Sequence, residues 1–257
     1  MRNKLTDELA ICGMNAALAA AEYHPEKINR LFLREDRLKS FLDICRQLAE
    51  RKRPYKICDD EELERICKSV HHQGVVMMLG EPVVAALSME ELESWAAEGK
   101  TGLVLHSIGN DHNLGAIARA AAFFDIHYII LNEGDSEGRL TTSAYRVAEG
   151  GFEHLEVRTI RDTAAFLKDA SKQLLTIGTD IRARRRVSDL GGIVKDAQAR
   201  KKRRPGIALV LGNEETGLPK NVKDQCSCLL RIPGTGKIES LNVTQAAALF
   251  LHAIFEL

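Results

Sequence analysis

Residues 206–257 constrain this chain more than any other stretch. Ile207-Ala208-Leu209-Val210-Leu211 is an apolar run without polar alternation, the pattern of a strand covered on both faces. It breaks at once into Gly212-Asn213-Glu214-Glu215-Thr216-Gly217. A second short strand, Leu229 to Ile232, ends at Pro233 and opens into Gly234-Thr235-Gly236-Lys237-Ile238-Glu239-Ser240-Leu241-Asn242. From Val243 to Phe255 the pattern is helical and apolar on most of its circumference. Two strand ends that each open into a glycine turn present backbone N–H and C=O groups at one rim of a sheet, where open α/β folds bind ligands.

Neither common nucleotide motif explains these turns. Gly236-Lys237 resembles the end of a phosphate loop, but that loop needs Gly where this chain has Arg231 and Ser or Thr where it has Ile238. The sharp turn and the magnesium-binding hydroxyl are therefore both missing. No G-x-G-x-x-G follows a strand and opens a helix either.

Upstream, strand patterns at Gly102 to His106, Tyr128 to Leu131, Leu155 to Val157 and Leu174 to Gly178 alternate with helical patterns at Leu114 to Phe124, Thr141 to Val147 and Thr163 to Lys172. This alternation predicts an α/β domain with a mainly parallel sheet and helices on its faces. The first eighty residues alternate on their own: Met14 to Tyr23, Ile28 to Leu33, Leu38 to Glu50, Tyr55 to Cys58, Glu61 to Lys68 and Gly74 to Leu79. They predict a small α/β domain over 1–80. A polar amphipathic stretch within 81–99 reads as a linker, and 100–257 as the larger domain.

Charge and cysteines narrow the class. Lys plus Arg number 36 and Asp plus Glu 36, so any nucleic-acid surface must be a local patch. Two basic runs, Arg182-Ala183-Arg184-Arg185-Arg186 and Arg200-Lys201-Lys202-Arg203-Arg204, are the candidates, read as a phosphate-contacting rim beside the glycine turns. The six cysteines form no C-x-x-C pair, and His71-His72, read as neighbours on a strand, would point to opposite faces. The expectation is therefore no metal site and a reducing cytoplasm. The charged N-terminus Met1-Arg2-Asn3-Lys4 and the lack of a long apolar run predict neither a secretion signal nor a membrane span.

Three blocks in order resemble the SpoU/TrmH branch of the SPOUT methyltransferases: Asn113-Leu114-Gly115-Ala116-Ile117-Ala118-Arg119, then Leu211-Gly212-Asn213-Glu214-Glu215-Thr216-Gly217-Leu218, then Ile232-Pro233 through Ser240-Leu241-Asn242-Val243-Thr244. Gly13-x-Asn15-Ala16 and Val70-His71-His72-Gln73-Gly74-Val75 are similar to the ribosomal-protein-like RNA-binding domain that many members carry. The resemblance implies methylation of a ribose 2'-hydroxyl in tRNA or rRNA, S-adenosylmethionine as cofactor, a trefoil-knotted domain and a homodimer. It implies that Arg119, Asn113, Glu214, Ser240 and Asn242 serve the acceptor and the chemistry, and that Gly212, Ile232 and Leu241 hold the cofactor, mostly through backbone groups. Asn113 and Asn242 also read as helix caps, the latter as a near capping box with Gln245. His112, Asp125 and Gly234 depart from the family's usual residues, which bears on loop geometry and substrate choice. The competing readings are an RNA-binding protein of the same fold without catalysis and a methyltransferase acting on an RNA base.

Overall fold

The computed structural model describes residues 2–3, 8–80, 82–133 and 140–257; Met1 and Lys4 of the charged N-terminus, and Glu81 at the start of the expected linker, lie outside the described residues. The chain forms two compact units, one of residues 1–83 with 139–154, the other of residues 84–138 with 155–257.

The first unit is built on a five-stranded sheet ordered β1-β2-β5-β3-β4, with β1 Arg2–Asn3, β2 Glu8–Cys12, β3 Ile28–Leu33, β4 Tyr55–Ile57 and β5 Val75–Gly80. β5 runs antiparallel to β2 and β3, whereas β3 and β4 are parallel. Strand β2 goes beyond the sequence expectation, which places nothing before Met14. Its five residues are all buried, so it lacks the alternation that marks a half-exposed strand. Helices α1 Met14–Tyr23, α2 Leu42–Glu50 and α3 Asp60–Cys67 complete the local part, α3 starting where the Asp59 carboxylate accepts the Glu62 N–H at 2.8 Å. His71 and His72 lie in the turn before β5, not on a strand; His71 is exposed, while buried His72 accepts the Gly74 N–H through Nδ1 at 3.1 Å.

The rest of this unit comes from far along the chain. Helix α6 (Thr142–Ala148) and the single turn Gly151–His154 pack with β2 and α1. Gly150, at φ +92°, makes the approach possible, since a Cβ there would lie 2.7 Å from the Ala19 Cβ. Next to it, His24 Nε2 lies 3.0 Å from a buried Glu153 carboxylate oxygen, and the Asn15 side-chain amide donates to Glu149 at 3.1 Å.

The second unit holds a seven-stranded sheet ordered β10-β12-β9-β11-β6-β7-β8, with β6 Thr101–Leu105, β7 Tyr128–Asn132, β8 Glu156–Ile160, β9 Leu175–Thr179, β10 Arg185–Arg186, β11 Ile207–Leu211 and β12 Cys228–Arg231. Every pairing among these described strands is parallel, as the alternation predicts. β11 is buried along its whole length between β6 and β9, which explains its unbroken apolar run. The flanking helices are α4 Met89–Ala97, α5 Asp111–Phe123, α7 Thr163–Ala170, α8 Leu190–Lys201, the short α9 Lys220–Lys223 and α10 Val243–Phe255.

Helix α4, in the stretch read as a linker, is packed into this second core. Ser88 and Glu91 cap it reciprocally, and Trp95 is fully buried, stacked on Tyr128 with ring centroids 4.9 Å apart. Gly102 is required beneath it, because a Cβ there would meet the Trp95 ring at 2.5 Å. Helix α8 escapes a periodicity reading, since Gly191, Gly192 and many polar residues leave only Leu190, Val194 and Ala197 buried.

Candidate active site

Parallel pairing brings the C-terminal ends of β6, β11, β9 and β12 to one rim, with Leu211 opposite Leu105 and Leu230 opposite Thr179. The strand order reverses here: β7 and β8 lie to one side of β6, and the later β11, β9 and β12 to the other. Such a switch point is where an open parallel sheet leaves a crevice.

The turn after β11 is wound tightly. A Cβ on Gly212 would come within 2.5 Å of both the Gly217 carbonyl carbon and the Leu218 nitrogen, so only glycine lets the turn close on itself. Asn213 holds it shut: its side-chain oxygen accepts the N–H groups of Glu215 and Thr216 at 2.9 and 3.1 Å, and the Gly217 N–H donates to its carbonyl at 2.9 Å. Its amide nitrogen donates to the Ser107 carbonyl at 2.9 Å, tying this turn to the loop after β6, where Ser107 takes a left-handed φ of 55°. Asn213 is thus a positioning residue, and its place in the second motif block gives no sign of this role.

Of the residues expected at the site, the structure brings Asn113 and Glu214 into direct contact. The Asn113 amide donates to Glu214 Oε1 at 2.6 Å across a sequence separation of 101. Asn113 is therefore not the helix cap. Helix α5 begins earlier than expected, and Asn110 caps it by accepting the His112 N–H at 2.8 Å. Arg119 lies further along α5, exposed, while Leu114, Ile117, Ala118 and Ala121 face the core. Ile232 follows the end of β12, half-buried, and Leu241 is left 47% exposed. Ser240 is exposed in the stretch before α10, and Asn242 caps that helix. The cap works through Thr244, whose N–H and hydroxyl donate to Asn242 Oδ1 at 2.8 and 2.7 Å, and not through a box with Gln245.

The two basic runs do not form one rim. Arg182–Arg186 leaves the C-terminal end of β9, with Arg185 and Arg186 paired to Leu230 and Arg231 in β12. Arg200–Arg204 sits at the opposite end of the sheet, just before β11; there Lys201 Nζ donates to the Gln173 carbonyl, and an Arg203 guanidinium nitrogen to the Ala97 carbonyl at 3.2 Å. Helix α8 spans the stretch between them and carries the second run across the sheet.

Among the described residues no group of three or more His, Cys, Asp or Glu is placed to hold a metal ion. The rim fits a cofactor with an apolar ring and polar edges instead. Ile232 and Leu241 supply uncovered apolar surface, and the turn at Gly234 and Gly236 leaves its backbone open, since a Cβ at either position would meet nothing within 4 Å.

A doubly flanked parallel sheet with glycine turns at its switch point defines a cofactor-binding α/β class, and comparison with known proteins narrows it. The SpoU rRNA Methylase family matches residues 100–252, and the RNA 2'-O ribose methyltransferase substrate binding family matches residues 10–82. The chain belongs to the SpoU methylase family. It is an S-adenosylmethionine-dependent methyltransferase of RNA ribose 2'-hydroxyls. It is 28% identical over 248 residues to the 23S rRNA (guanosine-2'-O-)-methyltransferase RlmB of Bordetella pertussis, covering 94% of each chain. The RlmB of Ralstonia nicotianae is 29% identical over 248 residues, covering 94% of this chain and 92% of its own length. In fold, it resembles the SpoU methyltransferase AviRb of Streptomyces viridochromogenes in complex with AdoMet, with a TM-score of 0.75, 19% identity, and coverage of 100% of this chain and 93% of that one.

Proposed function

We propose that the rim formed by the turns after β11 and β12 is where methyl transfer takes place, with Gly212, Ile232 and Leu241 holding S-adenosylmethionine and Arg119, Asn113, Glu214, Ser240 and Asn242 serving the acceptor nucleotide. The observation that carries this reading is the Asn113–Glu214 hydrogen bond, which joins the first and second motif blocks at the switch point. When bound, the cofactor supplies an electrophilic methyl on a sulfonium. The chain must hold the ribose in line with it, which can account for roughly 7–11 kcal/mol of such a barrier. Arg119, through its guanidinium donors, steadies the developing alkoxide and grips a neighbouring phosphate. Glu214, oriented by Asn113, fixes the ribose.

Residues 1–80, completed by 139–154, dock the RNA, and the rest of 100–257 performs the transfer together with α4 from the 81–99 stretch, which packs into the same core. The relatives named for 23S rRNA support rRNA as the substrate class. A homodimer through α5 and α10 is supported by the uncovered Phe123, Leu249 and Phe255 on these two mutually packed helices. Sedimentation is expected to give a dimer at micromolar concentration; a monomer would remove this part. The trefoil knot finds support in the strand order, in which β11 inserts between two earlier strands and α10 then packs on α5. An RNA modifier of this kind acts in the cytoplasm, and no helix among the described residues is long and apolar enough to cross a membrane. The test is transfer of labelled methyl from S-adenosylmethionine to deproteinised 23S rRNA, with 2'-O-methyl mapping of the product. Label on a base, or none, would refute the reading.

A further inference from the structure

The first unit contains a cavity of about 140 Å³ at the start of α1, lined by Gly13, Asn15, His71, Gln73, Arg146 and Glu149 among others. Asn15, His71 and Gln73 fall within the stretch matched by the substrate-binding family, whereas Arg146 and Glu149 fall within the stretch matched by the methylase family. Neither match assigns a site made from both.

Arg146 is the unusual member. It is half-buried beside Gly13, with its Cγ 3.9 Å from where a Gly13 Cβ would be, and it has no hydrogen-bond or ion-pair partner among the described residues. A guanidinium carries five donors and a permanent charge, so one drawn partly out of water without a carboxylate is suited to an incoming anion, above all a phosphate. The rest of the lining is polar but mostly self-engaged. Gln73 Oε1 accepts the Met14 N–H at 2.7 Å, leaving its amide NH₂ to donate, and the Asn15 amide donates to Glu149, leaving its carbonyl to accept. His71 is exposed and offers a ring plane. A cavity of about 150 Å³ admits one benzene ring, so this space takes one base-sized ring. One cation, a donor–acceptor pair and an imidazole plane are what single-stranded RNA readers use on an unstacked base.

We propose that this cavity receives one unstacked nucleotide of the substrate RNA, with Arg146 on its phosphate and the free groups of Gln73 and Asn15 on the edge of its base. The proposal rests on the RNA-methyltransferase reading and deepens it. It makes Arg146, brought in by α6, the phosphate-anchoring residue of the docking unit, with Gln73 and Asn15 reading the base.

The binding arm of the test uses the whole chain saturated with S-adenosylhomocysteine, so that the cofactor site is filled, and the kinetic arm uses S-adenosylmethionine alone. The four nucleoside 5'-monophosphates and inorganic phosphate are titrated against the arginine side-chain NMR signals, and KM and kcat are measured on deproteinised 23S rRNA. At least one monophosphate is expected to bind fivefold or more tighter than phosphate. Arg146→Ala should remove that binding and raise KM about tenfold with kcat within twofold, and Arg146→Lys should restore part of it. His71→Ala, at an exposed position that leaves the fold undisturbed, should weaken binding by about three- to fivefold and keeps the test valid if the arginine variant misfolds. Equal binding of phosphate and every nucleotide, or unchanged binding and KM in Arg146→Ala and His71→Ala, would overturn the proposal. Nucleotide binding lost in Arg146→Ala, by a wild-type protein that transfers no methyl to RNA, would remove the catalytic reading and keep the cavity as a nucleotide site.

Discussion

The two units solve the problem of presenting polar groups in opposite ways. At the rim of the parallel sheet the polar atoms hold one another: Asn213 closes its own turn and reaches Ser107, and Asn113 reaches Glu214. In the first unit, Arg146 stands at a cavity without such a partner, and the surrounding wall is assembled from the start of α1, the turn before β5 and a segment more than sixty residues further on. A site that must hold a cofactor in one pose needs rigid turns set before the ligand arrives. A site that docks a flexible strand needs groups left free to be engaged.

The largest effect that would sharpen this contrast is at Arg119. Arg119→Ala is expected to lower kcat by about a hundred- to thousandfold, on the order of 2.7–4 kcal/mol for a lost oxyanion stabiliser, with cofactor affinity nearly unchanged. Calorimetry with S-adenosylmethionine beside a methyl-transfer assay checks it; an equal loss of affinity would make Arg119 structural. Gly212→Ala comes next. Its Cβ would press on the backbone of Gly217 and Leu218, so the turn must open, at a cost of about 1–3 kcal/mol by analogy with overpacking. Both thermal stability and cofactor affinity should fall, and a variant that keeps full affinity would show that the turn does not shape the cofactor site.

The first unit carries a pH effect close to neutrality. Burial pushes the Glu153 carboxyl from its ordinary 4.5 up to about 7, against a smaller downward pull from Lys27. His24 lies at 3.0 Å, and Tyr145, like Lys27, is close enough to interact with it. Because the folded state keeps this proton to higher pH than the unfolded state, stability falls as pH rises from about 4.5 to about 7 and levels off above. The loss is on the order of 3 kcal/mol, from roughly 1.4 kcal/mol per pH unit. Glu153→Gln, which does not titrate, should therefore match wild type near pH 5 and exceed it at pH 8 in denaturant melts. Parallel curves would mean the carboxyl is ionised throughout. The smallest effect is expected at Asn213→Ala, about 0.5–2 kcal/mol for the lost turn hydrogen bonds. It should also weaken cofactor binding modestly by releasing the loop after β6, and a change in stability without any change in affinity would separate the two loops.

The same contrast decides what could be read from the chain. The parallel sheet was legible because β11 is covered on both faces and so runs apolar without a break, and because Gly212 has to be glycine for its turn to close. The contact of Asn113 with Glu214 follows only from three-dimensional proximity, but both stand in blocks that could be recognised. Helix α6 was visible as a helix, yet nothing in its own sequence says that it packs with α1 and β2, so Arg146 carried no signal. The basic runs misled for a related reason: helix α8 carries Arg200–Arg204 to the far end of the sheet, and its glycines and polar residues hide it from periodicity.

Methyl transfer to ribose is proposed at the rim where α5 meets the turn after β11, beside the turn after β12. Its most direct measurement is 2'-O-methyl mapping of deproteinised 23S rRNA after incubation with S-adenosylmethionine and either the wild-type protein or Arg119→Ala. One or a few discrete 2'-O-methylated nucleotides with the wild type, reduced at least a hundredfold with a variant that still binds the cofactor, is the predicted result. Methyl groups on bases, or equal methylation by both proteins, would contradict it.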